Sequence, residues 1–198
     1  MNNLHALLSE EFPDGNWEIV ELGEGWLAQF YSFKSSAFRL ETLQAYAEPS
    51  EAEALSAFEQ GIPVSTEYIS EWCNMVRDHT ASGKKMERVH LVELPLSRYL
   101  QFEIETAYPH TSEAGENILL LEISVVPDSL KESLTKDFWL FDENRVMVQH
   151  YSPEGTLLYS SLSSDQDTVD YFKGLRDQVL SLGVDFAEFY AECSMKEA

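Results

Sequence analysis

Asp137–Leu162, DFWLFDENRVMVQHYSPEGTLLYSSL, holds the densest apolar and aromatic content of the chain. Phe138, Trp139, Leu140 and Phe141 form one β-rich run, Val146, Met147 and Val148 a second, and Leu157, Leu158 and Tyr159 a third. Between them stand Asp142-Glu143-Asn144 and Ser152-Pro153-Glu154-Gly155. Asn and Asp side chains bond the local backbone, Pro presets φ and Gly supplies positive φ, so both inserts read as tight turns. The stretch predicts a three-strand meander.

Working outward, Ser163-Ser164-Asp165 leads into a C-terminal helix with Val169, Tyr171, Phe172, Leu175, Val179 and Leu182 on its approximate apolar face, and a shorter helix runs from Val184 to about Glu192. Upstream, Pro127–Lys136 is a polar excursion and Ile118–Val126 (ILLLEISVV) suits a central strand. Met86–Leu94 alternates Val89 and Leu91 against Arg88, His90 and Val92, as a strand does, and Pro95 stops it. Leu96–Tyr108 fits both periods: Leu100, Phe102 and Ile104 alternate, while Leu96, Tyr99, Leu100, Ile104 and Ala107 make a helical stripe. Tyr68, Ile69, Trp72, Cys73, Val76 and His79 mark a helix over about Thr66–Ser82, ended by Gly83. Ser50 and Glu53 have capping-box spacing for a helix that Gly61 closes. Ala37–Tyr46 leans to strand, and residues 9–25 read as an irregular arm. The expected organisation is an acidic, aromatic N-terminal arm over 1–36 and one α+β domain over 37–198, an antiparallel or mixed β-sheet flanked by helices.

With 198 residues, 44% of them hydrophobic, the chain can bury a sizeable core. No run approaches the roughly 18 apolar residues of a membrane helix. The start, MNNLHALLSEEF, lacks the charged and apolar regions of a signal peptide, so a cytoplasmic protein is expected. Cys73 and Cys193 fit a reducing compartment and offer no metal spacing, and Cys73 reads as a buried structural thiol. Thirteen Lys and Arg against 35 Asp and Glu give a net charge of −22, spread along the chain. Such a field repels nucleic acid and anionic lipid, and it attracts a basic protein partner. Simple solubility is the plainer consequence of the same charge.

No phosphate loop, dinucleotide fingerprint, nucleophile elbow or zinc-binding helix is present, and no cofactor or metal is expected. One group of polar residues can converge at an edge of the sheet: Arg88 and His90 on one strand face, Glu116 after Ala114-Gly115, Asp137 and Asp142 bracketing FWLF, and His150. Together they would make a small-molecule pocket or an acid–base site. Alternatively, Arg88 is simply ion-paired to Glu116 or Asp137 and fixes strand register.

The series ERVHLVELPLSRYLQFEI (Glu87–Ile104), AGENILLL (Ala114–Leu121) and DFWLFDENRVMVQHYSPEG (Asp137–Gly155), followed by a helical segment, resembles an actinobacterial domain of unknown function. The resemblance spans about Ala37–Tyr190. It implies a helix after Pro95, and a helix-turn-helix regulator as neighbour and partner. The last two-thirds is similar, more distantly, to phospholipase-D-like effector domains. Enzymes of that superfamily need a His-x-Lys pair, and no histidine here is followed two residues later by lysine: His90 meets Val92 and His150 meets Ser152. The expected function is therefore a non-enzymatic regulatory or interaction protein with an acidic surface for a basic partner. The alternative is a domain sensing an anionic or nucleotide-like ligand, and a hydrolase using His90 or His150 ranks third. An exposed edge strand would support a homodimer.

Overall fold

The structure, a computed structural model, describes residues 16–196. Its strands are β1 (Glu18–Val20), β2 (Ser36–Glu41), β3 (Lys85–Val92), β4 (Asn117–Glu122), β5 (Asp137–Phe141), β6 (Arg145–Tyr151), β7 (Leu157–Ser163) and β8 (Val184–Asp185). They form one open mixed sheet in the order β1-β7-β6-β5-β2-β3-β4-β8. The β2–β3 and β3–β4 pairs are parallel, and the others are antiparallel. The fold is the α+β class with a mixed sheet expected from the sequence, and β5–β6–β7 is the meander.

The first meander turn has Asp142 at φ 53° and Glu143 at φ 57°, the left-handed pair of a type I′ turn. Every residue of β5 is buried because the sheet is covered on both faces. On one face, Phe38, Leu40, Val89, Leu91, Phe138, Leu140, Val146 and Val148 pack under helix α7 (Gln166–Leu182) through its Val169, Phe172, Leu175 and Val179. Asp165 caps that helix, accepting from the Thr168 amide at 3.0 Å. The alternate residues of the same strands, among them Ala37, Met86, Trp139, Phe141 and Met147, face α1 (Glu24–Ser32) and α3 (Ser70–Ala81). Here Phe30 and Trp139 meet edge-on at 4.8 Å. Each such aromatic burial contributes roughly 1.5–3 kcal/mol.

The ambiguous segment is helical: α4 (Arg98–Phe102) runs through a π-turn, Glu103–Ala107, into α5 (Tyr108–Glu113). Ser97 caps its start, accepting from the Leu100 amide at 3.1 Å. The remaining helices are α2 (Ala52–Glu59), α6 (Asp128–Lys131) and α8 (Phe186–Lys196).

Four local expectations change. The capping box does not form: α2 has no side-chain cap, and the Ser50 hydroxyl donates to Glu48 instead. Ile118–Val126 is strand only to Glu122, followed by a 3₁₀ turn. The polar excursion contains α6, whose Leu130 joins the core with Leu134. Residues 16–25 of the expected irregular arm are ordered by pairing: β1 lies antiparallel on β7, and Trp17 is buried against Phe172. Residues 1–15 of that arm lie outside the described residues. Among the described residues the sheet ends in the three-residue β1 and the two-residue β8.

Candidate functional site

Strand alternation puts Arg39 and Glu41 of β2 on the same face as Arg88 and His90 of β3. In the parallel register Arg39 faces Arg88, and Glu41 faces His90. Two guanidinium groups side by side in a buried sheet need shared counter-charge. Glu41 supplies it, with Oε1 on Arg39 Nη2 at 2.8 Å and Oε2 on Arg88 Nη1 at 2.9 Å. Arg88 Nε donates to Glu116 Oε1 at 2.9 Å. Gly115 aims that glutamate: its φ is +112°, and a Cβ there would lie 2.6 Å from Thr80 Oγ1. Burial works to raise the Glu41 pKa, but Arg39 and Arg88 outweigh it and hold the carboxyl at about 2.

His90 is fully buried, with Nε2 2.7 Å from the Leu43 carbonyl and Nδ1 2.6 Å from the Tyr108 hydroxyl. A carbonyl only accepts, so Nε2 carries the proton and Nδ1 accepts from Tyr108. Burial pushes the imidazole pKa down, against the pull of Glu41. Asp137 accepts from the Thr42 amide and hydroxyl at 2.8 and 2.7 Å and from Tyr46 at 2.6 Å. Burial raises its pKa against Arg39 and those hydrogen bonds.

Four of the six residues singled out in the sequence therefore meet here: Arg88, His90, Glu116 and Asp137. Asp142 does not. It stands at the far end of β5, where its carboxylate binds the amides of Lys34, Ser35 and Ser36. Burial works to raise its pKa, but those amides lower it. His150 does not either. It shares the parity of Val146 and Val148, so it lies on the opposite face, stacked on Tyr159 with Nε2 2.8 Å from Ser161 Oγ. A base built on His90 would have both ring nitrogens already engaged.

Beside the cluster opens a cavity of about 400 Å³, within the range of small-molecule sites. Arg39, Glu41 and Arg88 form its charged floor, and Trp26, Trp72, Trp139, Tyr46, Tyr99, Tyr108 and Tyr151 line its walls. Arg39 lies over the Trp139 and Tyr46 rings, at 5.3 and 5.8 Å. Four lining residues carry a buried polar atom with no hydrogen-bond partner: Arg39 Nε, Trp139 Nε1, Gln149 Nε2 and Glu103 Oε1. Buried polar groups are nearly always paired, so four around one cavity mark it as a polar site. Glu103 is 5% exposed. Burial, then repulsion from Glu51 and Glu41, push its pKa well above the usual carboxylate range. Burial also raises Glu51, which accepts from Tyr99 at 2.8 Å.

The sequence reading missed Arg39, Glu41, Glu103 and Gln149. Arg39-x-Glu41 was a usable signal, since it repeats the period-two polar pair of Arg88-x-His90. Among the described residues, no group of three or more His, Cys, Asp or Glu is disposed to hold a metal ion. No helix among them is long and apolar enough to cross a membrane.

The fold is similar to that of a phospholipase D family member, Nuc from Salmonella typhimurium, with a TM-score of 0.51 at 8% identity over 86% of this chain and 95% of that one. NucT from Helicobacter pylori is similar at a TM-score of 0.48, with 10% identity over 87% of this chain and 98% of that one. TrmBL2, an archaeal chromatin protein, scores 0.47 at 9% identity, over 92% of this chain and 59% of that one. At such identity the likeness to Nuc is one of fold alone. No curated protein matches the chain. Over residues 24–191 the sequence matches the profile of a domain of unknown function, DUF6879, and the chain belongs to that family.

Proposed function

We propose that this chain is a ligand-sensing domain, a phospholipase-D-like scaffold whose pocket binds a small molecule instead of cleaving a phosphodiester. The observation that carries this reading is the set of unpartnered buried polar atoms around a cavity of ligand size. The absence of any His-x-Lys pair supports binding over hydrolysis. A thermal-shift screen of the full chain tests it. A hit should lose roughly tenfold in affinity in Gln149→Met, which removes the unpartnered Nε2 donor at nearly constant volume, together with the Oε1 that accepts from Ser160 and Trp26. Hits that bind Gln149→Met and wild type alike, or no hits at all, count against the pocket.

A second reading, an acidic surface that docks a basic helix-turn-helix regulator, is favoured by the net charge of −22. It gains from the internal use of Arg39 and Arg88, which Glu41 and Glu116 neutralise. A complex of purified components should weaken steeply with added salt. An affinity unchanged up to about 1 M salt, where the screening length is only about 3 Å, removes the electrostatic part.

A further inference from the structure

Resting on the ligand-sensing reading, the lining points to a class of ligand. Five glutamates border the cavity, Glu41, Glu48, Glu51, Glu71 and Glu103, against two arginines. Glu41 bridges both arginines and Glu116 takes the Nε of Arg88, so that of the two guanidinium groups only Arg39 keeps a buried N–H, on Nε, without a partner. Little positive field remains to hold the anion that the sequence suggested. Among the cavity's four buried unpartnered atoms, the one oxygen belongs to a carboxyl group. Glu103 has no partner on Oε1, and among the described residues no cation pairs with Glu51, which is held only by the Tyr99 hydroxyl. Glu48 and Glu71 are exposed at the rim, where they would draw a cation inward.

The aromatic walls fit the same class. Arg39 covers Trp139 and Tyr46, and Arg88 covers Tyr108, at 5.7 Å. Trp26, Trp72, Tyr68 and Tyr99 line the cavity with no cation over them among the described residues. Aromatic faces beside a carboxylate are the usual seat of an organic ammonium group.

We propose that the pocket takes a small organic amine, its ammonium group seated on the Glu103 and Glu51 carboxylates beside the rings of Tyr68 and Tyr99. The groups that act on Glu103 are Glu51 before α2, Glu41 and Arg39 from β2, and Arg88 from β3. Tyr68, Tyr99 and Tyr108 stand within its field. Burial, and then this surrounding negative charge, favour the protonated form of Glu103. The arriving ammonium takes over the proton's role, and the proton leaves to solvent. Affinity for an amine should therefore rise with pH until Glu103 is ionised in the empty protein as well.

Isothermal titration of the full chain tests the assignment with butylamine, tyramine and tryptamine, each beside the alcohol and the carboxylic acid of the same skeleton. The expected result is that at least one amine binds at about 1 mM or tighter, with its alcohol and acid at least roughly tenfold weaker. Glu103→Gln keeps the shape and the proton-bearing character of the group. It should cost the amine roughly tenfold and leave the alcohol unchanged. The amine's affinity should rise with pH above 4.5 in wild type, and the rise should be smaller in the variant, where Glu51 alone of the two still ionises. An acid or alcohol that binds as well as its amine overturns the amine assignment while leaving the ligand pocket standing. Should none of the series bind, while a screening hit of another class is lost in Gln149→Met, the amine assignment alone falls. If no compound of either set binds, both fall.

Discussion

Arg39 and Arg88 face each other across the parallel β2–β3 pair, and Glu41 bridges both guanidinium groups at 2.8 and 2.9 Å. Removing the bridge leaves the buried Arg88 with Glu116 alone and the half-buried Arg39 with no ion-pair partner among the described residues. Glu41→Gln should therefore cost about 3–5 kcal/mol of stability, as loss of one member of a buried ionic network does. Urea denaturation followed by circular dichroism measures it. Adding Arg39→Met should recover part of the loss. A cost under about 1 kcal/mol would mean the pair behaves as a surface ion pair.

Glu103 should act in the opposite sense. Its folded pKa lies above the ordinary 4.5, so between 4.5 and the folded value the native state keeps a proton that the unfolded chain has released. Its contribution is fully present below 4.5 and declines as pH rises toward the folded value. Glu103→Gln should thus be more stable than wild type at pH 8, with the advantage shrinking as pH falls toward 4.5. Melting temperatures across this range decide it, and an advantage that grows toward acid contradicts the assignment.

His90 and Glu41 set the acid limb. Burial lowers the His90 pKa from 6.5, so below 6.5 the unfolded chain binds a proton that the native ring refuses, and stability falls as pH drops. Glu41, at about 2 in the fold against 4.5, adds a loss in the same direction between those values. Nitrogen NMR of the imidazole should show the Nε2–H tautomer and no titration step near 6.5. A midpoint there would place His90 in contact with solvent.

The turn between β6 and β7 supports one wall of the pocket through Gly155. Its φ is +84°, and a Cβ would sit 2.8 Å from the Ala45 carbonyl oxygen. Its own carbonyl accepts from the Ala47 amide at 3.0 Å, next to the Tyr46 that holds Asp137. Gly155→Ala should cost about 1–3 kcal/mol from backbone strain alone, and it should weaken any pocket ligand by shifting Tyr46. Parallel denaturation and binding curves read both effects, and a variant as stable as wild type would show that the turn can relax.

Local chemistry made the meander legible: turn residues, uninterrupted apolar runs and the strand alternation of Arg88 and His90 all act within a few residues. Leu96–Tyr108 resisted because its π-turn inserts a residue into the helical period, which lets Leu100, Phe102 and Ile104 mimic a strand while all three are buried in a helical segment. The Arg88–Glu116 pair was nameable because both residues sit near parallel neighbours, β3 and β4. The bridge to Glu41 was not, since it depends on a pairing between strands 49 residues apart in register. Parity already placed His150 with Val146 and Val148, away from Arg88. Asp142 is separated from Asp137 by the length of β5. The unpartnered oxygen of Glu103 carries no local mark in the sequence, because which atoms find partners is a property of packing.

The indole N–H signals of the tryptophans give the most direct test of the pocket. Trp26, Trp72 and Trp139 line it, Trp139 Nε1 is unpartnered, and Trp17 lies under α7 on the other face of the sheet. In a nitrogen-edited NMR titration with screening hits, the three pocket indoles should shift while Trp17 stays fixed. If no hit moves the Trp139 signal, or if Trp17 moves with the others, the cavity is not the site of binding.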